Sequence, residues 1–174
     1  MICANNGDSE VLTLATESEL RLHRCCFTGH RPEKLSQPDR VIIAALEREI
    51  RAAADDGFVT FISGMARGVD IWAAEIVLKL RAEGQPVHLV CAVPFEGFAD
   101  SWEDDWKQRY GSILRKADAI EYICRNYSNR AFQMRNKWMV DNCARVIAVY
   151  NGEKGGTKNT IDYAKRCGVE IIQA

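Results

Sequence analysis

The sequence predicts a Rossmann-like, doubly wound α/β domain: a mainly parallel sheet of about six strands with helices on both faces. Three observations predict it. Short β-like runs alternate with helical stretches at intervals of roughly 25–30 residues, the rhythm of βαβ units. Several of those runs are nearly continuous in apolar residues, as strands covered on both faces must be. Glycines and polar side chains gather just after the runs, where the loops of such a sheet hold ligands.

Residues 1–22 are weakly patterned and read as an N-terminal extension, leaving 23–174 as a single domain. Six strand candidates follow: His23–Phe27, Phe58–Ile62, Val87–Val93, Ala119–Ile123, Val146–Tyr150 and Val169–Ile172. Between the second and third, Val69, Trp72, Ala73, Ile76 and Leu80 share one helical face. After the third, Trp102, Trp106, Tyr110, Ile113 and Leu114 do the same. Ser101 with Asp104 resembles a capping box there. A helix beginning near Arg130 precedes the fifth strand. Gly57 and Gly168 stand where helices need left-handed caps. His23 and His88 read as structural, the second in mid-strand.

Composition narrows the class. The chain has 174 residues, 47% hydrophobic and 27% charged, with a formal net charge of −1. That length suits one full core. The near-neutral balance does not favour a surface built mainly to grip nucleic acid or anionic membrane. No apolar run approaches the roughly 20 residues of a membrane span. The start has no basic region followed by an apolar core, so no secretory signal is expected. The seven cysteines form no CxxC pair and sit mostly in apolar runs. Reduced thiols in a cytoplasmic protein, with no metal site, are the expectation.

The chemistry is expected in the loops after the strands. After the first come Gly29, His30 and Arg31, with room for backbone approach and donors for a phosphate. After the second, Ser63, Gly64, Arg67 and Gly68 open directly into a helix whose first turn carries Asp70. Small residues there expose free N–H groups and a positive dipole end to an anion. Asp70 either caps the helix or accepts from a ribose hydroxyl. Pro94 and Phe95 follow the third strand, with Phe95 placed to stack on a base or to pack locally. Gly155, Gly156, Thr157 and Thr160 after the fifth strand form a second anion cradle. Arg135, near the start of the preceding helix, points toward the same edge. Neither GxGxxG nor a Walker loop is present.

Two segments carry a resemblance. Ile62-Ser63-Gly64-Met65-Ala66-Arg67-Gly68-Val69-Asp70 closely resembles the signature loop of the DNA-processing protein DprA/Smf. Cys26-Phe27-Thr28-Gly29-His30-Arg31-Pro32 is similar to the YpsA-type members of the same SLOG superfamily. With the Pro-Phe and Gly-Gly-Thr steps in order, the resemblance runs from His23 to the C-terminus. It implies a Rossmann-like fold with a pocket at the strand ends for a nucleotide or nucleotide-derived ligand, NAD-like or ADP-ribose-like. No resident cofactor is otherwise implied.

LOG-type hydrolases of that superfamily pair an Arg on the preceding helix with a GGxGTxxE loop. Arg135 resembles that Arg and Gly156-Thr157 the GT step, but Thr160 occupies the position of the catalytic Glu. A hydroxyl cannot supply the carboxylate that glycosidic cleavage needs. The expectation is therefore a binding or sensing module for a small phosphorylated ligand. The alternatives kept open are an enzyme using Asp70, Glu75 or Asp162, and a DprA-like binder of single-stranded DNA. A homo-oligomer stays open, and no membrane partner is expected.

Overall fold

The computed structural model describes residues 15–174. Six parallel strands form one sheet in the order β4-β3-β2-β1-β5-β6. They are β1 (Arg24–Gly29), β2 (Thr60–Ser63), β3 (His88–Val93), β4 (Ala119–Tyr122), β5 (Arg145–Val149) and β6 (Glu170–Gln173). The helices are α1 (Glu17–Leu22), α2 (Asp39–Asp55), α3 (Val69–Ala82), α4 (Asp104–Lys116), α5 (Ala131–Asp141) and α6 (Gly156–Arg166). This is the predicted doubly wound architecture. Part of the expected extension, residues 1–14, lies outside the described residues. The rest holds α1, whose Thr16 and Glu19 form a reciprocal capping box.

The chain lays strands outward from β1 to β4, then returns to the other side of β1 for β5 and β6. Right-handed crossovers therefore place α2, α3 and α4 on one face and α5 and α6 on the other. The first face holds the larger core, built around Phe27, Phe61, Leu46, Ile71 and Leu80. Phe27 and Phe61 stack with centroids 6.0 Å apart on neighbouring strands. The second core joins Cys26, Ile62, Met139, Val146 and Ala164.

Local departures from the expectation have local causes. Helix α3 buries Ile71, Ala74 and Val77 as well as the predicted face, because α2 and α4 flank it on both sides. Ser101 does not cap α4, whose N-cap is Glu103 without a side-chain bond. Trp102 thus lies ahead of the helix, where it meets Phe98 at 5.0 Å. His88 is not in mid-strand: it is the first residue of β3, exposed beside Asp118. Gly57 and Gly168 do take positive φ, +93° and +68°, just past their helices.

The consequence for function is positional. The order reverses between β1 and β5, which pair in register from Cys25↔Arg145 to Gly29↔Val149. Loops leaving those two strands diverge to opposite faces and leave a crevice between them at their carboxyl ends.

Candidate functional site

A cavity of about 370 Å³ occupies that crevice. Its walls come from three elements far apart in sequence. The loop after β1 supplies Thr28, Gly29, His30, Arg31 and Lys34. Helix α5 supplies Phe132, Arg135 and Asn136, and the start of α6 supplies Gly155, Gly156 and Thr157. Ala66 and Asp70 complete it from the loop after β2. A volume of this size lies in the range of small-molecule sites.

The loop 63–70 is folded in on itself. The Ser63 hydroxyl donates to the Asp70 carbonyl at 2.8 Å and accepts from Met65 N–H at 3.1 Å. The Asp70 carboxylate accepts from Ala66 N–H at 3.2 Å. Met65 is fully buried with φ +60°, a left-handed turn that costs a non-glycine residue roughly 1–2 kcal/mol. Gly68 presses on Pro32, and Gly29 on Val69, so closely that a Cβ at either would collide. These glycines serve loop and helix packing.

Arg135 forms the floor. It is only 5% exposed although it carries a full charge. Its Nη1 donates to the Gly64 carbonyl and lies 3.4 Å from Asp70 Oδ2. Gly64 has no side chain because that guanidinium fills the place of its Cβ. Burial pushes the Asp70 carboxyl upward, against the pull of Arg135 and the Ala66 N–H. Burial likewise draws Arg135 downward, against the pull of Asp70. The pair is thus held where water does not reach, and attraction offsets only part of the desolvation. Arg135 Nε has no hydrogen-bond partner.

His30 is the second buried polar side chain with an unmatched atom. It is 5% exposed, stacks on Tyr150 at 5.6 Å, and its Nε2 has no partner. Desolvation lowers its pKa below the ordinary histidine value, so the ring is neutral at pH 7. Unmatched buried polar atoms are rare and expensive. Both belong to residues that line one cavity.

The third wall is the N-terminus of α6. Gly155 is its N-cap and no side chain caps it. No acidic residue occupies its first turn. Its leading N–H groups and positive dipole end are presented to the cavity with Thr157 beside them. Arg31 and Lys34 stand at the rim, exposed, and neither belongs to an ion pair among the described residues. Against three cations, counting Arg135, stands one buried carboxylate, Asp70. The lining carries a net positive charge.

The structure therefore brings together Gly29, His30, Arg31, Asp70, Arg135, Gly155, Gly156 and Thr157. It sets the other candidates elsewhere. Ser63, Gly64 and Gly68 lie behind the loop. Arg67 is held between Glu33 and Glu103, 2.9 Å from each. The Pro94 carbonyl accepts from Cys124 N–H. Phe95 faces a neighbouring aromatic hollow. Thr160 is buried, and its hydroxyl donates to the Gly156 carbonyl one turn back, at 2.9 Å. Glu75 pairs with Arg109 and Asp162 with Lys158, both outside this cavity. Sequence reasoning missed Lys34, Asn136 and Phe132. Asn136 and Phe132 had a signal, since they stand four apart on one helical face beside Arg135. Among the described residues no three His, Cys, Asp or Glu side chains converge as metal ligands, and no helix is long and apolar enough to cross a membrane.

Comparison with known proteins agrees with this fold. The YpsA model, described as the YspA SLOG family, matches residues 25–168, and the chain belongs to that family. UPF0398 proteins of Bacillus thuringiensis (strain Al Hakam) and Bacillus cereus (strain Q1) are each 31% identical over 150 residues, 81% of this chain and 82% of theirs. Among solved structures, DprA of Streptococcus pneumoniae aligns over 88% of this chain with TM-score 0.63 at 16% identity. DprA of Helicobacter pylori, described for its single-stranded DNA binding mode, aligns over 88% with TM-score 0.61 at 20% identity. The chain spans 50% and 65% of those two DprA chains. TM1055, a structural-genomics target, aligns over 85% of this chain with TM-score 0.55. These neighbours share the fold.

Proposed function

We propose that this protein binds a small phosphorylated, nucleotide-derived ligand at the carboxyl ends of β1 and β5 and acts as a binding or sensing module. The observation that carries the reading is that His30 and Arg135, each with a buried and unpartnered nitrogen, both line the cavity closed by the uncapped start of α6. A phosphate on the α6 amides gains several N–H donors and the helix dipole together. Arg31 and Lys34 add charge from the rim. Asp70, held by Arg135, is placed to accept from a sugar hydroxyl on the same ligand. Membership of the SLOG family supports the same ligand class. The six cysteines among the described residues, all free, support a reducing, cytoplasmic setting.

The site is better furnished for holding than for cutting. Thr160 gives its hydroxyl to its own helix, and Glu75 and Asp162 stand outside the cavity. Asp70 is the one carboxylate inside, and it is committed to Arg135 and Ala66.

Calorimetric titration with nucleoside phosphates, NAD, ADP-ribose and cyclic nucleotides tests the reading. Saturable binding by at least one of them is expected, without release of free base or ribose phosphate on prolonged incubation. Failure of every phosphate-bearing compound to bind would overturn it. Salt-steep binding of an oligodeoxythymidylate in their place would transfer the site to single-stranded nucleic acid.

A further inference from the structure

We propose that the aromatic hollow beside the strand-end cavity is the subsite for a planar ring, so that the ligand is a nucleoside phosphate rather than a sugar phosphate. This rests on the reading of the strand-end cavity given above. The hollow measures about 430 Å³ and shares Arg31, Phe98 and Phe132 with that cavity, so the two are lobes of one cleft. One lobe is polar and anion-seeking. The other carries five aromatic side chains, Phe95, Phe98, Trp102, Tyr127 and Phe132, together with Arg67, Asp100 and Glu103.

These rings hold one another in place. Phe95 meets Phe98, Tyr127 and Phe132 edge-to-face with centroids 5.6, 5.4 and 5.9 Å away. Trp102 meets Phe98 the same way at 5.0 Å. Tyr127 stands at the rim, 64% exposed, with its hydroxyl donating to Asn129 Oδ1 at 3.0 Å. A large exposed aromatic fixed by its hydroxyl is ordered before any ligand arrives, which lowers the entropy cost of stacking on it. Arg31 stands where the lobes meet, without an ion pair among the described residues. It is placed to bind a phosphate while the attached ring lies toward Phe95 and Tyr127. Stacking of this kind strengthens binding roughly tenfold to a hundredfold per base.

The other extension of the cavity, a groove of about 540 Å³ between α5 and α6, is larger but poorly suited to a ring. Its rim aromatic, Tyr163, already carries Lys137 and Arg166 over its face at 5.5 and 5.6 Å. Its remaining wall includes three exposed amides, Asn129, Gln133 and Asn159, and the Asp162 carboxylate.

The test compares AMP, GMP, CMP and UMP with ribose 5-phosphate, on wild type, Tyr127→Ala and Phe95→Leu. Tyr127 is exposed, so its replacement leaves the fold intact and circular dichroism verifies both variants. The proposal expects at least one nucleotide to bind about tenfold more tightly than ribose 5-phosphate and to change the fluorescence of Trp102. It expects both substitutions to reduce that preference several-fold while ribose 5-phosphate binding stays unchanged. If ribose 5-phosphate binds as tightly as every nucleotide and Tyr127→Ala alters neither, the ring subsite is overturned and the reading of the cavity stands. Loss of the nucleotide preference through Gln133→Ala with Asn159→Ala, and not through Tyr127→Ala, also overturns it, by moving the ring to the α5–α6 groove. If neither the nucleotides nor ribose 5-phosphate bind, this inference fails, and the reading of the cavity fails with it when NAD, ADP-ribose and cyclic nucleotides do not bind either.

Discussion

The loops Ser63–Asp70 and Gly155–Thr160 look alike on paper and behave oppositely in the fold. Both follow a strand, both are rich in small residues, and both open a helix. The first spends its hydrogen bonds inward. Ser63, Asp70 and the Gly64 carbonyl bind their own loop or Arg135, and Met65 takes a left-handed turn to allow it. The second ends in an uncapped helix start that faces the cavity. The difference teaches that a glycine-rich helix entry is an anion site only where its amides are left over. The first loop acts instead as a socket for Arg135.

That contrast can be broken by substitution. The largest effect is expected in the closed loop. Asp70→Ala strips a buried guanidinium of its counter-charge and should cost about 3–5 kcal/mol in stability by urea denaturation. A loss below about 1 kcal/mol would mean that Arg135 is not held by Asp70. Gly64→Ala places a methyl group where the Arg135 guanidinium lies, 2.8 Å from Asp70 Oδ2, and should cost about 1–3 kcal/mol. Retention of full stability there would show that the socket is slack.

Two smaller effects sharpen it. Arg67 bridges two well-exposed glutamates, so Arg67→Ala should lower stability by about 1 kcal/mol or less and leave phosphate affinity within about twofold. A large loss of affinity would return Arg67 to the site. The smallest effect is the pH dependence of His30. Burial depresses its folded pKa, so near pH 6.5 the unfolded chain takes up a proton that the folded chain refuses. Stability from this group is present above that pH and is lost as pH falls toward the lower folded pKa. Urea midpoints at pH 7.5 and 5.5 should differ less in His30→Gln than in wild type. An unchanged difference would mean that His30 is not desolvated.

The sequence was most readable where periodicity and burial act together. All six strands lie where β-like runs place them, and the central ones are nearly continuous in apolar residues because a parallel sheet covered on both faces leaves no other composition for its centre. Gly155, Gly156 and Thr157 were readable because a helix start after a strand has one orientation relative to the sheet. Gly64 was not readable in its role. A missing side chain looks the same whether it makes room for a ligand or for Arg135, which lies 71 positions on in the chain. Ser101 failed as a cap because Gly97–Trp102 is spent in a turn that seats Phe98 and Trp102. The aromatic hollow was hidden for the same reason: Phe95, Trp102, Tyr127 and Phe132 come from separate segments and meet only in three dimensions.

The most direct measurement is calorimetry of Gly156→Asp. Space is open at that position, with Asn136 Nδ2 the nearest atom at 4.0 Å. A carboxylate in the first turn complements the dipole of α6, so stability should hold or rise by about 0.3–1 kcal/mol. The same carboxylate sits where the account puts phosphate, so affinity for the nucleotide that wild type binds should fall about tenfold or more. Stability kept and binding lost is the predicted result. Binding retained at wild-type strength in a folded Gly156→Asp protein would contradict the claim that the start of α6 is the anion site.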